Sequence, residues 1–139
     1  MLKFDSYSGL YKLTSTQWVK APLDDVWDYF SNPKNLQSLT PDDLNFKIIS
    51  NPGISMVDGD IIAYKIQLLP LVKTKWITEI KSVEVLKSFV DEQRTGPYKM
   101  WHHRHSFEVK DNGTLMTDEV HFMLPLGFLS RPLYRLFIK

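Results

Sequence analysis

Cysteine is absent from this 139-residue chain. That excludes a disulfide scaffold and any thiolate metal site, and it accords with a reducing, cytoplasmic setting. An excess of charge of either sign is also missing: seventeen basic against sixteen acidic residues leave a net charge of +1. Such a balance gives no electrostatic footprint for nucleic acid and no polybasic stretch for a membrane surface. No apolar run approaches the roughly 18 residues of a membrane span, and Met1-Leu-Lys-Phe-Asp-Ser6 lacks the apolar core of a signal peptide. Repeats, low-complexity runs and linkers are not found, so the expectation is one domain over residues 1–139. Aromatic side chains, by contrast, are plentiful at 13%, with four tryptophans. They suit a large core or an apolar pocket.

Hydrophobic periodicity predicts a first strand over Tyr11–Lys20 and a helix over Ala21–Phe30. Pro22 suits the first turn, Asp24 and Asp25 complement the helix dipole, and Leu23, Val26, Trp27 and Phe30 form one stripe. Ser31-Asn-Pro33 breaks it, and Lys34–Leu39 reads as a short second helix. Strands follow at Leu44–Ser50, Ile61–Leu69, Lys73–Lys81 and Ser88–Arg94. Pairing Leu68 with Thr74 sets Ile66 against Trp76 and Tyr64 against Thr78. Two long strands close the series, Tyr98–Lys110 and Leu115–Pro125. The fold class is therefore α+β, an antiparallel sheet of about seven strands with two short helices after the first. Ser130 is placed to cap a helix presenting Leu133, Leu136 and Phe137. That helix has barely begun at Lys139, so the expectation is that the native chain runs further or that this end is disordered.

The last two strands carry the chemistry. Asn112-Gly113 between β-rich runs signals a two-residue type I′ turn, because both central positions need positive φ. That turn opposes Phe107 to Asp118, His105 to Val120, His103 to Phe122 and Trp101 to Leu124. Alternation gathers Trp101, His103, His105, Phe107, Met116, Asp118, Val120 and Phe122 on one face, plainly the inner one. Three ionisable groups lie among them. Thr95-Gly-Pro97 turns the preceding strand so that Gln93 pairs near Trp101, Asp91 beside His103 and Phe89 beside His105. His102 and His121 fall on the outer face.

The run Phe89-x-Asp91-x-Gln93-x-x-Gly96-Pro97-Tyr98-x-x-Trp101-x-His103-x-His105-x-Phe107, followed by Asp118 and Pro125-x-Gly127, resembles an uncharacterised bacterial subgroup of the START-like superfamily. These proteins are also called SRPBCC, polyketide cyclase/dehydrase-like or helix-grip proteins. Ala21-Pro22, Val26-Trp27 and Asn32-Pro33…Leu36…Leu39-Thr-Pro41 extend the resemblance over nearly the whole chain. It implies a curved sheet gripping a long C-terminal helix, with a cavity between them. It also implies binding of lipids, sterols, polyketides or other hydrophobic small molecules, with cyclisation or dehydration catalysed in some members.

Fold similarity does not transfer function, so the inner polar set must be weighed residue by residue. Asp91, Gln93, His103, His105 and Asp118 can satisfy one another as a structural network, or form the polar end of a ligand pocket. Tyr64, Trp76, Trp101, Phe107, Met116 and Phe122 would supply the wall of such a pocket. A metal site is a third reading, since His103-x-His105 aims two imidazoles the same way and Asp91 or Asp118 completes a three-ligand set. The fourth is a cyclase- or dehydratase-like enzyme with an Asp-paired histidine as general base, its catalytic candidates being His103, His105, Asp91 and Asp118. Hydrophobic-ligand binding is the reading adopted, in a monomer or homodimer, with no metal or other cofactor expected.

Overall fold

The computed structural model describes residues 2–35, 45–50, 57–69 and 72–124. Eight strands form one sheet: β1 (Leu2–Tyr7), β2 (Leu10–Val19), β3 (Lys47–Ile48), β4 (Ile61–Leu69), β5 (Val72–Glu84), β6 (Ser88–Thr95), β7 (Met100–Lys110) and β8 (Gly113–Met123). Their spatial order is β1-β2-β8-β7-β6-β5-β4-β3, with every neighbouring pair antiparallel. One α-helix, α1 (Leu23–Phe30), and a single 3₁₀ turn at Pro33–Asn35 follow β2. The α+β class holds, but the described residues contain eight strands rather than about seven. The extra strand is β1, folded onto β2 through Ser8 and Gly9, both in left-handed backbone at φ 49° and 95°. The second helix expected at Lys34–Leu39 is a 3₁₀ turn where it is described, and positions 36–39 lie outside the described residues. So do the helix expected from Ser130 and its residues Leu133, Leu136 and Phe137.

Helix α1 starts one residue after Pro22, whose fixed φ of −60° serves the cap position and whose missing N–H is no loss there. Ser31 ends it by folding both its amide and its hydroxyl back onto the Trp27 carbonyl. Val26 and Trp27 are buried against Ile62, Ile80, Phe89, Phe107 and Met116. Trp27 meets Phe107 and Phe89 edge-on, with centroids 5.3 and 5.8 Å apart. The buried Thr114 hydroxyl donates to the Ala21 carbonyl at 2.9 Å, tying the entry of the helix to β8. A second apolar cluster, Ile66, Trp76, Tyr98, Val120, Phe122 and Leu124, occupies the other end of the same sheet face.

Two registers differ from expectation, each by two residues. The β7–β8 turn is made by Asp111 and Asn112, at φ 50° and 60°, between the paired Lys110 and Gly113. Gly113 lies outside the left-handed region and is glycine for another reason. A Cβ there would sit 2.6 Å from the Trp18 ring and 2.6 Å from the Val19 carbonyl oxygen. Phe107 therefore opposes Met116, His105 opposes Asp118, His103 opposes Val120 and Trp101 opposes Phe122. In the β4–β5 hairpin Ile66 opposes Thr74, Tyr64 opposes Trp76 and Ile62 opposes Thr78. A two-residue slip preserves the alternation, so every side chain stays on the face assigned to it.

Candidate functional site

Three strands carry the site because period two repeats itself across them. Asp91 on β6 opposes His103 on β7, and His105 on β7 opposes Asp118 on β8. All four side chains thus share the inner face, between the cluster covered by α1 and the aromatic cluster at the opposite end. His105 Nε2 lies 2.6 Å from Asp91 Oδ2, and His105 Nδ1 lies 3.1 Å from Asp118 Oδ1. His103 presents Nε2 to the same Asp118 oxygen at 3.1 Å and Nδ1 to the same Asp91 oxygen at 3.5 Å. The two imidazoles stack with centroids 3.7 Å apart and planes 26° from parallel. Phe89, directly opposite His105 in register, lies on that ring's other side at 4.4 Å. Trp101 Nε1 donates to Asp91 Oδ1 at 3.3 Å. Each imidazole bridges both carboxylates.

The set is half-buried: His105 is 16% exposed, His103 and Asp91 20%, and Asp118 33%. Burial disfavours a charged His105, but hydrogen bonds to Asp118 and Asp91 and their negative charge push it up to about 9. Burial also disfavours both carboxylates as anions. For Asp118 this is outweighed by hydrogen bonds from His103 and His105, and the group is held below the usual carboxylate range. Asp91 is likewise lowered, against its burial, by the adjacent His103 and by bonds from His105 and Trp101. Burial raises the Tyr64 phenol well above its ordinary value, and the Asp91 charge adds to this. Tyr98 is pushed up to about 12 by burial.

The other residues singled out from sequence fall into four places. Trp76 and Trp101 meet edge-on at 5.3 Å, and Tyr64 stacks on Trp76 at 5.9 Å while its hydroxyl faces Thr78 Oγ1 at 3.4 Å. With Tyr98 and Phe122 they make an aromatic cluster running up to Asp91. Phe107 and Met116 pack instead in the cluster under α1. Gln93 stands apart from the tetrad: its Nε2 donates to the Tyr98 carbonyl at 2.6 Å and its Oε1 accepts the Tyr98 amide at 3.1 Å. That clamp closes the Gly96-Pro97 turn, where a Cβ on Gly96 would run into the Gln93 side chain. On the outer face His102 opposes His121 and approaches Glu92 at 3.5 Å.

One feature escaped the sequence reading. Trp76 is 6% exposed, and among the described residues its indole N–H has no hydrogen-bond partner. No sequence pattern marks such a donor, because its environment is assembled from several strands. A buried N–H left unpaired costs about 1–3 kcal/mol.

No protein-family model matches the chain, and no curated protein does. Solved structures do. Protein Ms6760 from Mycobacterium smegmatis is similar with a TM-score of 0.69 at 16% identity, over 99% of this chain and 86% of that one. CalU16 from Micromonospora echinospora is similar at 0.59 and 14% identity, over 98% and 88% of the two chains. A nucleoside-diphosphate sugar epimerase from Corynebacterium glutamicum is 27% identical with a TM-score of 0.64; 77% of this chain is covered but only 23% of that one. These likenesses show a shared α+β fold built on one antiparallel sheet. Among the described residues no helix is long and apolar enough to cross a membrane.

Proposed function

We propose that the inner face of the sheet binds a hydrophobic small molecule, such as a lipid or polyketide, through an apolar body and one polar group. The observation that carries the reading is an aromatic cluster that ends on the Asp–His tetrad and holds the Trp76 indole N–H, which among the described residues has no partner. Apolar wall with a few convergent polar groups is the usual composition of a small-molecule site. Charge narrows the polar group. Two lowered carboxylates and two imidazoles sum to zero at most, so the set favours a hydroxyl, carbonyl or amine over a carboxylate. The same reading has the chain acting as a single-domain cytoplasmic protein, monomer or homodimer, in keeping with its lack of cysteine. An enzyme with a general-base histidine is the weaker alternative. All four ring nitrogens of His103 and His105 face carboxylate oxygens, so neither imidazole turns a nitrogen toward a bound molecule.

Native mass spectrometry of protein purified from its source tests the reading directly, through a co-purifying apolar mass. Trp76→Phe keeps the ring surface and removes the N–H, so affinity for that molecule should fall by about 1 kcal/mol or more. Absence of any co-purifying molecule, together with unchanged binding of fatty acids and polyketide aromatics by the variant, would sink it.

A further inference from the structure

The tetrad has more acceptors than two neutral imidazoles can serve. A neutral ring donates from one nitrogen only, yet all four ring nitrogens of His103 and His105 face a carboxylate oxygen. The four contacts are all attractive only when added positive charge sits between the rings and the carboxylates. Protons supply that charge in one way and a metal ion in another. The two carboxylates stand on opposite sides of the stacked pair, and this asymmetry suits a metal. Asp91 Oδ2, His103 Nδ1 and His105 Nε2 converge within 4.8 Å of one another on one side. On the other, a single oxygen of Asp118 lies 3.1 Å from both remaining nitrogens. A carboxylate that holds the far N–H of a ligating imidazole is the usual outer partner of a histidine–metal bond. Here one carboxylate serves two rings.

We infer that Asp91, His103 and His105 bind a divalent first-row transition ion of the zinc or ferrous class, with Asp118 orienting both rings from behind. The donor set, two imidazoles and one carboxylate, is that of zinc and non-haem iron sites, and the missing thiolates argue against softer ions. Bonds of about 2.0–2.2 Å place ligand atoms of a tetrahedral site roughly 3.3 Å apart. The Asp91–His103 edge, at 3.5 Å, is near that already. The Asp91–His105 edge, at 2.6 Å, has to lengthen by roughly 0.7 Å, and the stacked rings have to splay from their 26°. Both changes are side-chain rotations among residues 16–20% exposed. Three protein ligands leave a position open for water or for the polar group of a bound molecule. The inference stands apart from the ligand reading, since an ion can bind whether or not any apolar molecule does.

The test is titration of chelator-treated protein with zinc chloride by calorimetry, and with cobalt chloride by visible absorption. One equivalent of zinc should bind, and cobalt should give the intense bands of a four- or five-coordinate ion. Asp118→Asn should weaken zinc binding by about 10–100-fold, while Asp91→Asn and His105→Gln should remove it from the measurable range. The double variant His102→Gln, His121→Gln, on the outer face, should bind as the parent does. Should the inner-face variants fail to fold, imidazole nitrogen resonances of the parent decide instead. Zinc should shift those of His103 and His105. No binding, shifts confined to His102 and His121, or full binding retained by a folded Asp91→Asn protein would each overturn the inference. A protein that takes one zinc but no apolar molecule would leave the inference standing and remove the ligand reading.

Discussion

Replacing His105 by glutamine should make the stability of the metal-free protein less sensitive to alkali. The imidazole faces Asp91 on β6 and Asp118 on β8, with His103 beside it on β7 and the Phe89 ring against it. Burial disfavours its charged form, but the two carboxylates move it from 6.5 up to about 9. At about 1.4 kcal/mol per unit, such a shift corresponds to roughly 3 kcal/mol, an upper bound that partial solvation reduces to about 1–3 kcal/mol. Because the folded value lies above the unfolded one, the contribution is complete below 6.5 and disappears as pH rises through about 9. Asp91 and Asp118 act in the opposite sense. Their lowered values add stability above the ordinary carboxylate range, which is lost as the pH falls through the folded values. In chelator, urea unfolding followed by tryptophan fluorescence should place the parent above His105→Gln by about 1–3 kcal/mol near pH 6, the gap closing markedly by about pH 9.5. A gap that is constant over that range, or absent near pH 6, would refute a protonated His105 held between two carboxylates.

Gly113→Ala should cost about 1–3 kcal/mol in thermal or urea melts, because the added methyl meets the Trp18 ring and the rigid Val19 carbonyl. Asn112→Gly, at φ 60°, should cost nothing; the reverse ranking would restore the turn to Asn112-Gly113. His103→Gln, measured for melting, ligand affinity and turnover of a candidate substrate, should lower the first two together, with affinity down by about 1–2 kcal/mol. A well-folded variant that binds normally yet no longer converts its ligand would instead indicate an enzyme, where losing a general base costs roughly 10²–10⁴-fold in rate.

Which residues share the inner face was decided by the sequence alone. Alternation is a local property of extended backbone, so Trp101, His103, His105, Phe107, Met116 and Asp118 could be placed on one side before any pairing was known. The Asp91–His103 pairing was also legible, because the Thr95-Gly-Pro97 turn and the inner-face pattern agree on one register. The edge strand β1 leaves little trace in the sequence although Leu2 and Phe4 alternate ahead of Ser8-Gly9, since an exposed strand carries a weak burial signal. Only tertiary structure decided the other contacts among the inner residues. The β7–β8 turn slides by one position because β2 crosses beside it: Trp18, 92 residues before Lys110, donates to that residue's carbonyl and occupies the space a side chain at 113 would need. The resulting two-residue change of register leaves the faces intact yet turns Asp118 from a neighbour of Phe107 into the direct partner of His105. Faces follow from the period of the chain, whereas contacts depend on register, and register is set by packing between segments distant in sequence.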